Sequence, residues 1–169
     1  MKKLYTAKNM VIMAVFAAIG IILQIIENRI FISPVPGGKL GLSNIVSIIN
    51  IFMFGGRNAL VISLVRAFLG TLLSGGVTAI PYSIAGTFFS VVAMAIIKKY
   101  FYPTVSMIGI SVVGAAFYNF AQILVASIIF SSGYMFSYLS QLLIVAAVSG
   151  TVTGIGAQIL GKRLLEMEL

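Results

Sequence analysis

The chain contains no cysteine, no histidine, no tryptophan and no aspartate, and its only acidic residues are Glu27, Glu166 and Glu168. Without cysteine it can form neither a disulfide nor a thiolate metal ligand, and without histidine it lacks the commonest metal ligand and proton carrier near neutral pH. Three glutamates are a poor basis for a metal-dependent or two-carboxylate enzyme. We therefore predict a protein that is not an enzyme, with no catalytic residue, metal site or cofactor.

Charge is also scarce, since 8% of the residues are charged and 60% are hydrophobic, whereas charged residues make up about a quarter of an average soluble domain. The 11 basic residues punctuate apolar runs and do not form a stripe on a soluble face, which argues against nucleic-acid binding. The composition predicts an integral membrane protein whose main solvent is the lipid bilayer.

The apolar runs predict an all-α, six-helix transmembrane bundle in a single domain over residues 1–169, with helices at about 8–26, 42–54, 59–73, 81–97, 105–130 and 136–160. At about 20 Å, the second helix is shorter than the roughly 30 Å hydrocarbon core. We expect the stretch 36–44 before it to enter the membrane and to line a cavity, because irregular backbone is tolerated at that depth only inside protein.

Basic residues favour one side of this topology. Arg29 and Lys39 fall on one side, and eight fall on the other: Lys2, Lys3, Lys8, Arg57, Lys98, Lys99, Lys162 and Arg163. The positive-inside rule then predicts a multi-pass protein of the cytoplasmic membrane with both termini in the cytoplasm.

Arg66 is the remaining basic residue, nine positions after Arg57 and eight before Ser74, and thus close to the middle of its predicted helix. An arginine at the bilayer centre costs about 2.5 kcal/mol or more, so it normally faces the protein interior and has a partner. Glu27 is the only acidic residue before the C-terminal tail. The two interpretations are an ion pair with Glu27 and a site for a ligand carboxylate or phosphate, which the planar guanidinium suits.

Other polar residues recur at helical spacing, mostly in the predicted outer half of the helices. Singly, such residues are more often hydrogen-bonding contacts between helices than ligand contacts. Together they predict an outward-facing polar pocket for a small molecule, with candidate binding residues Gln24, Glu27, Lys39, Asn44, Asn50, Arg66, Asn119, Gln122 and Gln141. The glycine-rich segment around Lys39 lacks the order of a phosphate-binding loop and is interpreted either as a cap over an anionic ligand or as an ordinary turn.

Small residues indicate close helix contacts. Ala14 and Ala18 lie more than 90° around the first helix from Gln24 and Glu27, so they are expected to face lipid or a partner subunit. A second set is expected to pack against a neighbouring helix: Gly150, Gly154, Ala157 and Gly161.

Three segments, PGGKLGLSNIV at 36–46, RAFLGTLLSGG at 66–76 and NFAQ at 119–122, resemble a bacterial membrane family labelled heptaprenyl diphosphate synthase component I, or Gx transporter. The resemblance runs through nearly the whole chain. It departs at Tyr118, where the family has histidine before the asparagine, so any ligand contact made by that histidine would be lacking here. The synthase label conflicts with the residues, since prenyl diphosphate synthases resemble one another in aspartate-rich motifs and this chain has no aspartate.

That family is in turn similar to the S-components, the substrate-binding subunits of energy-coupling factor (ECF) transporters. The similarity implies six helices, cytoplasmic termini and docking through Ala14 and Ala18 on a transmembrane coupling subunit with separate ATPases. The predicted function is thus substrate binding for import of a small, anionic and partly apolar molecule. The alternatives are a non-catalytic membrane component of polyprenyl diphosphate or quinone metabolism, and a self-contained secondary carrier.

Overall fold

The computed structural model describes residues 7–30, 41–74 and 76–167, with side chains described as far as Arg163. Over these ranges the protein is all-helical, and its helices are α1 Ala7–Ile30, α2 Leu42–Leu73, α3 Ile80–Phe101, α4 Met107–Ile129 and α5 Leu139–Met167. Short 3-10 turns at Val77–Ala79 and Gly133–Tyr138 precede α3 and α5. Five helical stretches in the described residues are long and apolar enough to cross a membrane, as expected of a multi-pass membrane protein.

Helix α2 is folded back on itself at Gly55, whose φ of 81° and ψ of 166° are accessible in practice only to glycine. Ser47 lies eight residues before this point and Ser63 eight residues after it. Each stretch is about 12 Å long at helical rise, yet the two hydroxyl oxygens are hydrogen-bonded at 2.9 Å. The two arms of α2, residues 42–54 and 56–73, therefore run side by side.

The prediction of six separate helices is not confirmed: five helical stretches in the described residues are long and apolar enough to cross a membrane, and the predicted helices 42–54 and 59–73 are two arms of α2 that join directly at the Gly55 bend. Residues 55–58 were expected to form a loop, but the left-handed backbone of Gly55 accomplishes the reversal alone. Asn58 Nδ2 then donates to the carbonyl oxygen of Phe54 at 3.0 Å, which ties the two sides of the bend together.

Three helices extend beyond their predicted ends, and one of them, α5, continues to Met167 where an end at about 160 was predicted. Helix α1 continues to Ile30, four residues beyond the predicted end, because Glu27 is accommodated in the protein interior at 4% exposure. Helix α3 continues to Phe101, since Lys98 is held by a hydrogen bond from Nζ to the carbonyl oxygen of Ile51 at 2.7 Å. Glu27 and Lys98, which were predicted to follow the ends of their helices, thus lie inside the last turns of α1 and α3.

The helices pack largely in chain order. Helix α1 packs on α2 alone among the described elements, α3 lies between α2 and α4, and α5 packs on α4 and α2. The α4–α5 contact is the closest, since a Cβ atom added to Gly150 or Gly154 would lie 2.6 Å from the Cα of Val112 or of Ile108, respectively. The prediction that small residues of α5 face a neighbouring helix is confirmed.

The apolar outer surface is extensive on α1. Its exposed side chains include Val11, Val15, Ile19 and Ile22. An exposed apolar face of this size is normal in contact with lipid and unusual in contact with water.

Candidate functional site

A polar cavity of about 20 Å³ is lined by residues from all five helices. It is bordered by the last turns of α1, the first turns of α2 and α3, and the middle of α4 and α5. Its lining residues are Gln24, Glu27, Gly41, Ser43, Asn44, Arg66, Ser83, Thr87, Ala115, Tyr118, Asn119, Ser149 and Thr153. A water molecule needs about 10–15 Å³ of such volume, so the cavity has room for one water molecule and for no larger ligand.

Arg66 is the central charged residue of this cavity and is only 2% exposed. Its Nη1 donates to Oε1 of Gln24 at 3.2 Å, whereas its Nε is buried with no hydrogen-bond partner among the described residues. A buried donor of a charged group that lacks a partner is destabilising, by about 1–3 kcal/mol or more. Arg66 therefore has an unused donor beside a polar cavity.

Glu27 has a different role from the ion pair considered above. Its Oε1 accepts from the backbone N–H of Gly41 at 2.7 Å and its Oε2 from that of Leu42 at 2.9 Å. The carboxylate thus binds the N-terminus of α2, where the free N–H groups and the helix dipole favour a negative charge. No ion pair within 4.0 Å connects it to Arg66 in the described structure.

Gln24 joins α1 to the second arm of α2. Its Nε2 donates to Oγ1 of Thr71 at 3.0 Å, and this fixes the amide so that the oxygen faces Arg66. The close approach of the two helices depends on two glycines. Any side chain on Gly20 would overlap the stem of Arg66, and a Cβ on Gly70 would lie 2.8 Å from Oε1 of Gln24.

The structure brings five of the nine predicted binding residues to this cavity: Gln24, Glu27, Asn44, Arg66 and Asn119. Asn119 also donates from Nδ2 to the carbonyl oxygen of Leu142 at 2.8 Å, so part of its amide connects α4 to α5. Lys39 lies outside the described residues.

Three predicted residues do not line the cavity. Asn50 is completely buried, and neither polar atom of its amide has a partner in the described part of the chain. Gln122 is half-buried, and its Oε1 likewise lacks a partner there. Gln141 is exposed and does not line the cavity, whereas its neighbour Leu142 in the first turn of α5 is 2% exposed and faces the bundle.

Sequence reasoning missed most of the hydroxyl groups around the cavity. Ser83 and Thr87 on α3, and Ser149 and Thr153 on α5, are pairs with i, i+4 spacing, which places both members on one helical face. Their spacing was a usable signal, but serine and threonine are so common in membrane helices that it is weak. Tyr118, noted only as a departure from a family pattern, lies against the backbone of Gly86, where a Cβ would be 2.8 Å from the ring.

Ala14 and Ala18 are exposed on α1, among large exposed apolar side chains, while Gln24 and Glu27 of the same helix are buried. This agrees with the expectation that the alanines face away from the polar residues. Their neighbours in the membrane are lipid or another protein.

The fold and the cavity define a multi-pass helical membrane protein with a buried arginine in a polar interior. Residues 16–160 match the model of the family described as heptaprenyl diphosphate synthase component I, and the chain belongs to this family. No curated protein and no solved structure matches it. The family description names a component of a synthase and not a catalytic subunit, and no group of three or more metal-binding side chains occurs in the described residues.

Proposed function

We propose that the protein is the substrate-binding membrane subunit of an ECF-type importer and that its ligand is a small, anionic and partly apolar molecule. The observation that carries the proposal is Arg66, which is buried beside a cavity formed by all five helices and has an unpartnered Nε. A ligand carboxylate or phosphate would supply both the missing acceptor and the missing counter-charge.

The residues around Arg66 favour this ligand class. Both oxygens of Glu27 accept backbone N–H groups, so this carboxylate does not occupy the donors of the Arg66 guanidinium. Hydroxyl donors of Ser83 and Thr87 line the same cavity. Because about 20 Å³ admits a single water molecule, binding must widen the cavity by separating its helices or repacking side chains.

The proposed topology has six membrane crossings, because the two arms of α2 each cross and the chain reverses at Gly55. This places both termini on one side, which the charge bias assigns to the cytoplasm. The cavity then lies nearer the outer surface, as substrate capture requires.

Cysteine labelling checks this orientation, and the absence of native cysteine makes single-cysteine variants unambiguous. In intact cells we expect a membrane-impermeant maleimide to label Gly133→Cys, whose position is open. Lys8→Cys and Lys162→Cys should react only after permeabilisation. Labelling in the reverse pattern would contradict the orientation and the outward-facing cavity together.

The exposed alanines are the proposed docking surface for the coupling subunit. We expect Ala14→Leu and Ala18→Leu to lower co-purification of the coupling subunit and ATPases at least several-fold, because a bulky side chain prevents close helix approach. Folding and ligand binding should be retained, since both positions are exposed and lie away from the cavity. The matched control is Ala147→Leu, which adds the same bulk to an exposed position on α5. An equal loss in all three variants would contradict docking through α1.

A second candidate function is an accessory membrane component that binds a polyprenyl diphosphate, and the description of the family favours it. A prenyl diphosphate is also anionic and partly apolar, so Arg66 alone does not distinguish the two. Mild extraction from native membranes does: recovery of coupling ATPases supports import, and recovery of a soluble prenyl synthase without them supports the accessory role.

A further inference from the structure

A second cavity, of about 580 Å³, lies at the end of the bundle opposite the polar cavity. It is an open groove between the second arm of α2 and the last turns of α3. Its walls are apolar and include Leu60, Val91, Val92, Ala95 and Ile96.

Three basic residues border this groove: Arg57, Lys98 and Lys99. No carboxylate is among its described lining residues. Arg57 follows the bend of α2 directly, and both it and Lys99 are exposed. The groove therefore combines an apolar wall with a cluster of three positive charges.

Lys98 is held in place within this cluster. Its Nζ donates to the carbonyl oxygen of Ile51 at 2.7 Å and lies 4.6 Å from the centroid of the Phe52 ring. Nζ also donates to the carbonyl oxygen of Phe52 at 3.5 Å, so one of its three donors remains available to an anion. Its fixed position makes Lys98 the pre-organised member of the cluster, since it needs little reordering on binding.

We propose that this groove binds one anionic phospholipid, with an acyl chain along the apolar wall and the headgroup phosphate at Arg57, Lys98 and Lys99. The acyl chain gains little free energy when it moves from the bilayer into the groove, because both surroundings are apolar. Selectivity therefore resides in the headgroup, and basic pockets between membrane helices favour anionic ones. This site is separate from the Arg66 cavity and does not depend on the proposed import function.

The test measures binding of phosphatidylglycerol and phosphatidylcholine to delipidated protein in neutral detergent, by native mass spectrometry and thermal unfolding. We expect one tightly retained phosphatidylglycerol, a rise in unfolding temperature with that lipid, and little effect of phosphatidylcholine. In Arg57→Gln/Lys99→Gln, affinity for phosphatidylglycerol should fall at least tenfold. The charge-retaining pair Arg57→Lys/Lys99→Arg should restore most of it.

The matched control is Lys162→Gln/Arg163→Gln, which removes two exposed charges outside the groove. These residues follow Gly161, which lies beside Met107 at the start of α4, so they occupy the same end of the bundle. The control should bind phosphatidylglycerol like the unmodified protein. The proposal would be overturned by an equal loss of affinity for phosphatidylglycerol in the two double glutamine variants or by equal binding of the two lipids. Preferential binding of farnesyl diphosphate in the groove would overturn it as well.

Discussion

Arg66→Gln is expected to weaken binding of the ligand retained by the gently extracted protein by about 30-fold or more. Removing one partner of a buried, hydrogen-bonded charge pair costs about 2–5 kcal/mol, and the guanidinium is the proposed partner of the ligand anion. Arg66→Lys should have an intermediate effect, because it keeps the charge and loses the planar pair of donors. Native mass spectrometry identifies the ligand, and calorimetry or ligand-induced thermal stabilisation then gives the affinities.

Two further variants separate ligand binding from folding. Gln141→Ala should bind normally, because Gln141 is exposed and does not line the cavity. Glu27→Gln should lower the free energy of unfolding by about 0.5–2 kcal/mol through weaker capping of α2. Its effect should add to that of Arg66→Gln in the ligand-free protein. Strong coupling between the two, with unchanged ligand stabilisation in Arg66→Gln, would restore the ion-pair interpretation.

Gly150→Ala and Gly154→Ala should each lower the free energy of unfolding by about 2 kcal/mol or more. The added methyl group would meet backbone Cα atoms of α4 at 2.6 Å, and overpacking of this kind typically costs 1–3 kcal/mol even where flexible side chains can yield. The loss should exceed the gain of about 1 kcal/mol that alanine brings in a helix. Unfolding in detergent, followed by circular dichroism, measures the difference.

Gly161→Ala is the control for both substitutions. Its nearest neighbour, the Cε of Met107, would lie 3.5 Å from the new methyl group, which is ordinary contact. This variant should be as stable as the unmodified protein or slightly more so. If all three variants behaved alike, the close α4–α5 contact would not be what requires glycine.

The membrane class and the burial of Arg66 inside the bundle could be predicted from the sequence, because both follow from the cost of placing charge in an apolar medium. The same cost explains why most of the predicted polar residues are buried in the bundle. The role of Glu27 could not be predicted, since it depends on Gly41 and Leu42 reaching the end of α1, which no local pattern specifies.

The reversal in α2 escaped prediction for a related reason. Gly55-Gly56 was interpreted as part of a loop, and glycine pairs indicate a break without specifying its geometry. Gln141 was included in the predicted pocket because it lies in the outer part of the last predicted helix. Depth along a helix does not specify which side of it faces the bundle, since successive residues are about 100° apart.

The bend at Gly55 also bears on how the site assembles. Closing the contact between Ser47 and Ser63 requires a loop of 16 residues, whereas the contact between Gln24 and Arg66 closes one of 42. Loop-closure entropy makes the longer loop less favourable by about 0.9 kcal/mol, and local contacts form faster. We therefore expect the hairpin of α2 to form first and α1 to dock on it second. The hydrogen bond from Arg66 to Gln24 forms only at this second step.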